Sequence, residues 1–347
     1  MGIPAPVGVA MLGAGHIAEY HLAGLAAAGG ACVRVIAGRS ERNAAGLAQR
    51  FGIPDVETDW RRVLDRREID AVVIATPDDT HEPIAIAAAQ AGKAILLQKP
   101  MAASVSGARR IVDAAARHGV DLQVSFMHRF FAEVEQARVW LREEVIGRVH
   151  SVRLRNATPG PDWNDWFFDR ARVGNGVVDQ LGVHGIDLAL ALVGDVEAVS
   201  ARMATVVPKR TLRDGRTVDV HVCDSAWALY SFAGGAVGSH EMSMVEAQGC
   251  DRFRMELYGE RGTLWLRSER GPIAAYAPAR FGDRWHVPSL DEAPMGARQH
   301  AAWIDGITGR APRLATAQAA LRGMQVVEAI ARSNEQHGAA VRVEARS

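Results

Sequence analysis

Short, continuous apolar runs alternate with helical patterns through residues 1–125 of the chain. The apolar runs stand at 7–13, 32–38, 70–77, 94–97 and 120–125. The helical patterns continue to residue 28 and then cover 41–51, 81–91 and 104–118. Continuous apolar strands between helices are typical of a parallel sheet that helices cover on both faces. The first part of the chain therefore predicts an α/β domain with a doubly wound parallel sheet.

From about residue 148, apolar and polar residues alternate in segments such as "RVHSVRLRNA" and "DRFRMELYG". Strict alternation is typical of strands with one buried and one exposed face, which usually form antiparallel sheets. Helical patterns at 177–193, 297–309 and 316–336 and a short strand at 340–343 complete this part. We therefore predict a second domain, at 126–347, of α+β type with a mostly antiparallel open sheet. The pattern leaves open that a C-terminal helix packs back on the first domain.

Length and charge limit the classes of function. A chain of 347 residues with 48% hydrophobic content is long enough for two cores. Its 40 basic and 40 acidic residues cancel, which gives no electrostatic case for nucleic acid or an anionic membrane. The cysteines, Cys32, Cys223 and Cys250, are far apart and predict buried free thiols rather than a disulfide framework or a metal site. With no signal peptide and no apolar run near the ~20 residues of a membrane span, we predict a cytoplasmic protein.

The segment "GAGHIA" at 13–18 follows an apolar strand and begins a helix, which is the context that a dinucleotide-binding turn requires. In the pattern G-x-G-x-x-A, Gly13 permits the tight turn and Gly15 lets the backbone approach a pyrophosphate. His16 and Ile17 stand at the turn, and Ala18 lets helix and strand pack closely. The helix N-terminus supplies N–H groups to the phosphates. These features predict a bound nicotinamide dinucleotide.

The end of the second strand bears on the choice between NAD and NADP. Enzymes that use NAD usually place a carboxylate there for the ribose hydroxyls, whereas this chain reads "AGRSER". Arg39, Ser40 and Arg42 could instead hold a 2′-phosphate. We therefore predict a preference for NADP. NAD stays open, since stacking of Arg39 on the adenine would serve either cofactor.

Five motifs together give the chain a family resemblance. They are "GAGHIA", "ATPDDTH" at 75–81, "QKP" at 98–100, "GNGVVDQLGVHGIDLALALVG" at 174–194 and "HAAWIDGITGRAP" near the C-terminus. As a set they resemble the Gfo/Idh/MocA family of oxidoreductases over nearly the whole chain. The resemblance implies a dinucleotide-binding Rossmann domain and a second domain for substrate binding and oligomerisation. It also implies oxidation or reduction of a sugar, cyclitol or related polyol, by a homodimer or homotetramer formed through the open sheet.

The family pattern also implies roles for single residues. Thr76 and Pro77 match the turn along the cofactor, and His81 matches the histidine that closes this motif. Lys99, with Gln98 beside it, matches the lysine near the nicotinamide and the substrate hydroxyl. His184 matches the family's acid/base histidine. The segment "MHRF" at 127–130, which matches the family's entry into the second domain, makes Arg129 a candidate substrate ligand.

The chain departs from the family pattern at two positions where the family usually has an acidic residue. The family usually has Glu-Lys-Pro where this chain has Gln98, and an aspartate four residues before the histidine, where it has Gln180. In a regular helix Gln180 shares the face of His184, and Asp179 lies about 140° away. A bulge or a later helix start would restore Asp179. We therefore list Gln180 with the catalytic residues and Asp179 with the substrate ligands.

The predicted chemistry is hydride transfer coupled to movement of a hydroxyl proton. Lys99, at the carboxyl edge of a parallel sheet, would bond the substrate oxygen and stabilise its developing charge. His184 is the natural proton shuttle. Neutral glutamines would favour an uncharged Lys99, or else mark impaired catalysis. The segment "PGPDWNDWFFDR" offers Trp163 and Trp166 as a stacking wall for a sugar, or as a packed loop or interface.

Three functions are consistent with these residues. The first is an NAD(P)-dependent dehydrogenase or reductase acting on CH–OH groups of sugars or polyols. The second is an enzyme that keeps its cofactor bound and uses transient oxidation to cleave or eliminate a glycoside. The third is a non-catalytic nicotinamide-binding sensor. Retention of both Lys99 and His184 disfavours the sensor.

Overall fold

The computed structural model describes residues 6–247, 253–268 and 271–344, and the chain divides into two compact units. The first unit comprises Met1–Phe130 and Glu292–Leu321, and the second comprises Phe131–Asp291 and Arg322–Ser347. The predicted boundary after residue 125 lies five residues before this division, and the prediction placed 292–321 in the second domain. The difference arises because 126–130 and 292–321 pack on the first core.

The first unit contains a six-stranded sheet in the order β3-β2-β1-β4-β5-β6, with all neighbouring strands parallel. The strands are β1 (Val7–Leu12), β2 (Ala31–Ala37), β3 (Asp55–Glu57), β4 (Ala71–Ile74), β5 (Ala94–Gln98) and β6 (Leu122–Ser125). The helices between them are α1 (Ala18–Ala28), α2 (Glu41–Phe51), α3 (Trp60–Leu64), α4 (His81–Gln90) and α5 (Val105–His118). The predicted doubly wound parallel sheet is confirmed. The strand order reverses beside β1 and β4, where the carboxyl ends of strands in such sheets bind ligands.

The second unit contains a nine-stranded sheet in the order β16-β15-β14-β13-β7-β12-β11-β8-β17, together with the hairpin β9-β10. Its strands are β7 (Val149–Ala157), β8 (Val196–Ala204), β9 (Lys209–Thr211), β10 (Thr217–Asp219), β11 (Ser225–Phe232), β12 (Val237–Ser243), β13 (Arg254–Gly259), β14 (Gly262–Ser268), β15 (Gly271–Tyr276), β16 (Trp285–His286) and β17 (Val341–Arg342). Strands β7 and β12 are parallel, and the other described neighbours are antiparallel. The predicted mostly antiparallel sheet is confirmed.

The later helices are α6 (Ala132–Arg142), α7 (Arg170–Val173), α8 (Val183–Leu192), α9 (Pro278–Phe281), α10 (Ala297–Thr308) and α11 (Thr316–Glu335). A π-helical turn, Val178–Gly182, leads directly into α8. Helices α6, α8 and α11 contribute apolar side chains to the core of the second unit. Helix α10 belongs to the first unit, where it packs beside α1 and inserts Trp303, Ile304 and Ile307 into the core.

The hydrophobic pattern explains most of these elements. All six residues of β1 are buried, as expected for a central parallel strand. Strand β11 alternates between buried and exposed residues along most of its length, as expected when only one face of a sheet is covered. The pattern does not predict β3 and α3, because three- and five-residue elements are too short to show periodicity. No helix among the described residues combines the length and the apolar character that a membrane crossing needs.

Candidate active site

The glycine turn after β1 is shaped by its contact with β4. Gly13 has φ 115°, and a Cβ atom there would lie 2.2 Å from the carbonyl oxygen of Ala75. Any other residue would therefore combine backbone strain with a steric clash. The Gly13 N–H donates to the carbonyl of Ala37 at 2.8 Å, which ties the turn to β2. The tight turn that the sequence predicts is thus held at the point where three strands end.

The start of α1 provides a place for an anion. A Cβ atom at Gly15 would meet no protein atom within 4 Å, and His16 is exposed beside it. Ile17, the N-cap of α1, offers no side-chain acceptor to the backbone N–H groups of the first turn. Backbone donors at a helix N-terminus, together with the helix dipole, favour phosphate binding. The open backbone at Gly15 fits the pyrophosphate of a dinucleotide.

The end of β2 carries basic and hydroxyl groups. Arg39 and Arg42 are exposed, and Ser40 is the N-cap of α2, where its Oγ accepts from Asn43 N at 3.3 Å. A Cβ atom at Gly38 would lie 2.9 Å from Ala14 Cβ, so this strand end lies against the glycine turn. The structure therefore brings Arg39 next to the predicted pyrophosphate site. No carboxylate stands among residues 38–40.

The turn after β4 is fixed by hydrogen bonds from two side chains. Thr80 Oγ1 donates to the carbonyl of Pro77 at 2.6 Å and lies 2.7 Å from Thr76 Oγ1. His81 is buried, with Nδ1 2.8 Å from the carbonyl oxygen of Pro100 and Nε2 2.9 Å from that of Thr76. The prediction of His81 as a cofactor ligand needs correction, because both ring nitrogens face backbone carbonyls inside the protein. Its place is beneath the two loops and not on the ligand surface.

The end of β5 explains why a glutamine stands beside the lysine. Gln98 is 9% exposed, and its Oε1 accepts the backbone N–H of Lys99 at 2.8 Å. A glutamate could accept the same hydrogen bond, so glutamine keeps the acceptor and removes the charge. Lys99 is half-buried and directly follows the strand, at the carboxyl edge of the sheet, and its peptide bond to Pro100 is cis.

His184 lies in the second unit, where it is 9% exposed and is the second residue of α8. The π-turn before it has i→i+5 hydrogen bonds and so takes more residues per turn than an α-helix. The prediction that Gln180 and not Asp179 shares the face of His184 applies to a regular helix, and this segment is not regular. The structure has the bulge that the sequence left open as the way in which Asp179 would be restored to this face.

Asp179 also stabilises the loop before the π-turn. Its Oδ2 accepts the backbone N–H of Asn175 at 2.7 Å, where Gly174 and Gly176 have positive φ. The Cys223 thiol donates to the Asn175 carbonyl at 2.6 Å, and burial raises the pKa of this thiol to about 12. Asp179 thus supports the loop that leads to His184.

A buried polar chain beneath α8 was not predicted from the sequence. The Tyr230 hydroxyl lies 2.9 Å from His240 Nδ1, and His240 Nε2 lies 2.7 Å from Asn156 Oδ1. A neutral His240 satisfies both contacts, since Nε2–H donates to the amide oxygen and Nδ1 accepts from the hydroxyl. Burial lowers the pKa of His240 to about 3. A Cβ atom at Gly185 would lie 2.2 Å from Asn156 Oδ1. These hydrogen-bonded side chains therefore limit how closely α8 can approach the sheet.

The predicted substrate ligands lie in different parts of the chain. Trp163 is 39% exposed and Trp166 is half-buried, and both contact Phe167, which stacks on Trp166 at 3.9 Å. Their other faces have guanidinium neighbours, from Arg213 and Arg172 respectively, each at 5.5 Å. Arg129 lies in the first unit, with its guanidinium carbon 5.9 Å from the Phe126 ring.

Two of the three cysteines lie in the described part of the chain. Cys32 and Cys223 are free thiols, and Cys250 lies outside the described residues. Within the described part of the chain, no cluster of three or more histidine, cysteine or acidic side chains could hold a metal ion.

A parallel sheet with a glycine turn, an open helix N-terminus and a lysine at the strand ends is the arrangement typical of nicotinamide-dependent oxidoreductases. Comparison with known families agrees. Residues 7–126 match the oxidoreductase family with an NAD-binding Rossmann fold, and residues 134–265 match the GFO/IDH/MocA C-terminal domain. The chain belongs to the Gfo/Idh/MocA family of oxidoreductases, so the predicted resemblance is confirmed.

Named relatives are sugar and cyclitol dehydrogenases. Levoglucosan dehydrogenase of Pseudarthrobacter phenanthrenivorans is 34% identical over 258 residues, which are 68% of this chain and 65% of that protein. Inositol 2-dehydrogenase 2 of Saccharopolyspora erythraea is 31% identical over 80% of each chain. A solved structure of levoglucosan dehydrogenase in complex with NADH and levoglucosan has a TM-score of 0.87 at 27% identity, covering 98% of this chain and 100% of that one.

Proposed function

We propose that the protein is an NAD(P)-dependent oxidoreductase that transfers a hydride between the nicotinamide and a secondary alcohol or ketone carbon of a sugar, cyclitol or related polyol. The observation that carries this is the placement of Lys99 at the carboxyl end of β5, in the sheet whose glycine turn has room for a pyrophosphate. The names of the matched relatives support the substrate class. When bound, the nicotinamide accepts or supplies the hydride.

The protein's own residues would handle the proton. Lys99 hydrogen-bonds the substrate oxygen and accepts the hydroxyl proton as the hydride leaves, so that no full negative charge develops on that oxygen. His184 acts as the shuttle that exchanges this proton with solvent. Because Gln98 is neutral, it does not favour the ammonium form of Lys99 as a glutamate would, which supports Lys99 as a proton acceptor.

We further propose a preference for NADP over NAD. The support is the pair of exposed guanidinium groups at the end of β2, Arg39 and Arg42, with the Ser40 hydroxyl between them and no acid at the strand tip. The test is Arg39→Ala, which should weaken NADP by more than about tenfold and NAD much less, since a guanidinium–phosphate pair is lost. Arg34→Ala, at an exposed arginine earlier in β2, is the matched control. Equal weakening of both cofactors would refute the preference.

For the substrate we propose that Trp163, Trp166 and Arg129 contribute to the sugar site, together with Asp179. The support for the tryptophans is geometric. Phe167 stacks on Trp166, which fixes its ring, while Trp163 is 39% exposed and so has surface that a sugar ring could contact. Arg129 and Asp179 can hydrogen-bond hydroxyl groups.

We also propose that the open face of the nine-stranded sheet associates with a second copy of the chain. Trp227, Leu229 and Val237 lie on this sheet and are 50%, 61% and 58% exposed. Exposed apolar side chains in a contiguous patch mark interaction surfaces. Leu229→Arg should then lower the oligomer size seen by light scattering, whereas Val206→Arg, at a 56% exposed loop residue, should not.

A cytoplasmic location stays a prediction of the sequence.

A panel of substrates tests the central proposal. Purified protein is assayed with NAD and NADP against levoglucosan, myo-inositol and other polyols, and the expected result is formation of the reduced cofactor. Lys99→Ala should lower turnover on the order of 10²–10⁴-fold and change cofactor affinity by less than about tenfold, or 1.4 kcal/mol. Lys209→Ala, at an exposed lysine of β9, is the control. Near-normal turnover by Lys99→Ala would refute the mechanism.

The same assay separates the alternatives. Cleavage of a glycoside by protein as purified, without net change in added cofactor, would support the enzyme that oxidises transiently. Cofactor binding with neither activity would support the sensor.

A further inference from the structure

His81 is held between two backbone carbonyl groups. It is fully buried as the first residue of α4. Its Nδ1 lies 2.8 Å from the carbonyl oxygen of Pro100, and its Nε2 lies 2.9 Å from that of Thr76. A carbonyl oxygen can only accept a hydrogen bond. Both ring nitrogens are therefore at donor positions.

A neutral imidazole has one N–H and one lone pair. If His81 were neutral, one ring lone pair would point at a carbonyl oxygen less than 3 Å away, and both of these groups would be buried acceptors. Only the imidazolium carries two N–H donors. We propose that His81 is a buried imidazolium, donating to Thr76 and Pro100 at once, and that it is a positioning residue for Lys99.

His240 and His300, which are also buried, do not have this geometry. His240 lies between a hydroxyl group and an amide oxygen, which a neutral ring satisfies. His300 Nδ1 lies 2.7 Å from the Gly296 carbonyl, and its Nε2 lies 3.0 Å from His21 Nδ1. One N–H on each ring makes both of these contacts without a charge, and His21 Nε2 has no hydrogen-bond partner among the described residues. The two carbonyl partners therefore distinguish His81 from His240, His300 and His21.

The charges around His81 act in both directions. Burial and the N-terminus of α4 oppose a cation at this place. The two carbonyl acceptors favour it, and so does Asp78, a buried carboxylate of the same turn. Glu82, the next residue, pairs with Arg110 at 2.6 Å. Gln98, on the neighbouring β5, is neutral, so the two carbonyl acceptors are the contacts that favour the cation.

The position of this bridge gives it a role at the site. Thr76 follows β4, and Pro100 follows Lys99 at the end of the adjacent β5. A cation that donates to both carbonyls fixes the two loops relative to each other. Because one of these carbonyls belongs to Pro100, the residue after Lys99, the positive charge would favour the neutral amine that a proton acceptor needs. Only this last consequence rests on the proposed function.

The protonation state can be measured without a substrate. Full-length protein labelled with ¹⁵N-histidine is studied by solid-state NMR at pH 7.5, with and without added NADPH, and His81→Gln assigns the signal. We expect both His81 nitrogens at the position of protonated ring nitrogens, while His240 shows one lone-pair nitrogen and serves as the neutral reference. A lone-pair nitrogen at His81 would overturn the proposal. Neutron diffraction from the unmodified protein gives the same answer if His81→Gln does not fold.

Kinetics then tests the positioning role. His81→Gln should lower kcat at least tenfold, with the NADPH dissociation constant within threefold. It should also move the rise of kcat/KM to higher pH, because Lys99 loses a neighbouring positive charge. A pH profile unchanged from the unmodified protein would refute the role. If the imidazolium is found but no polyol is turned over, the proposed function fails and the protonation state stands.

Discussion

Gly185 follows His184 on α8, and replacing it with alanine tests how the position of the histidine is set. The new Cβ atom would lie 2.2 Å from Asn156 Oδ1 and 2.7 Å from the His240 ring. Ordinary contacts begin at 3.4 Å, so the helix or the buried polar chain must move by about 1.2 Å. Neither partner is the flexible end of a surface side chain, since Asn156 and His240 are 0% and 1% exposed.

Two magnitudes follow from this displacement. Overpacking a well-packed interior costs about 1–3 kcal/mol, and alanine regains up to about 1 kcal/mol of helix propensity over glycine. We therefore expect Gly185→Ala to lower the free energy of unfolding by about 1–2 kcal/mol. A displacement of about 1 Å at a reacting group costs on the order of 10²-fold in rate, so kcat/KM should fall by about that factor.

Gly323→Ala is the matched control, because Gly323 lies on α11 in the same unit and faces the same helix. Its Cβ atom would lie 3.9 Å from Ile186 Cγ2, an ordinary contact, so the variant should be as stable as the unmodified protein or slightly more so. Urea unfolding and steady-state kinetics are measured for both variants. If Gly185→Ala keeps its stability within about 0.5 kcal/mol and its full activity, the buried chain does not position His184.

Other predictions concern charge, pH and the sugar site. Gln98→Glu should keep the hydrogen bond to Lys99 N but favour the ammonium form, so the rise of kcat with pH should move to higher pH; an unmoved profile would contradict the electrostatic role of Gln98. Burial lowers the pKa of His300 to about 4 and that of His21 well below its usual value, so the unfolded chain binds more protons, and stability should be lost as the pH falls from about 6.5 to 4. That loss can reach about 3 kcal/mol for His300, and urea unfolding at several pH values should show it reduced in His300→Leu. Trp163→Ala should raise KM for the sugar with little change in kcat, and a purely catalytic defect would refute a stacking role.

The sequence predicted the fold correctly where a pattern of residues is compatible with only one type of structural element. Continuous apolar strands and the glycine turn predicted the parallel sheet, because strands buried on both faces are mostly apolar. The position of Lys99 followed from the same logic, since the apolar run that ends at Leu97 places the lysine just beyond the strand. The domain boundary was less predictable. Helix α10 returns to the first core after a long separation along the chain, and no local pattern records that partner.

The surroundings of the two histidines could not be predicted for a related reason. The π-turn before His184 inserts an extra residue per turn, and Val178–Gly182 has no composition that separates it from an ordinary helix start. Likewise, the family match of His81 suggested a ligand contact, but the carbonyl groups that hold it come from two different loops. In both cases the decisive neighbours are backbone atoms, whose positions depend on the folded structure and not on residue type.

Gln98 illustrates how a site can lose a charge and keep its geometry. Its side-chain oxygen accepts the backbone N–H of Lys99, so the lysine is held as a glutamate would hold it. What changes is the electrostatic environment, since a carboxylate would stabilise an ammonium group beside it. A neutral residue at 98 and a buried cation at 81 would act in the same direction on Lys99, towards the free amine. The substitution is therefore compatible with catalysis, and it argues that Lys99 accepts a proton rather than serving only as a fixed positive charge.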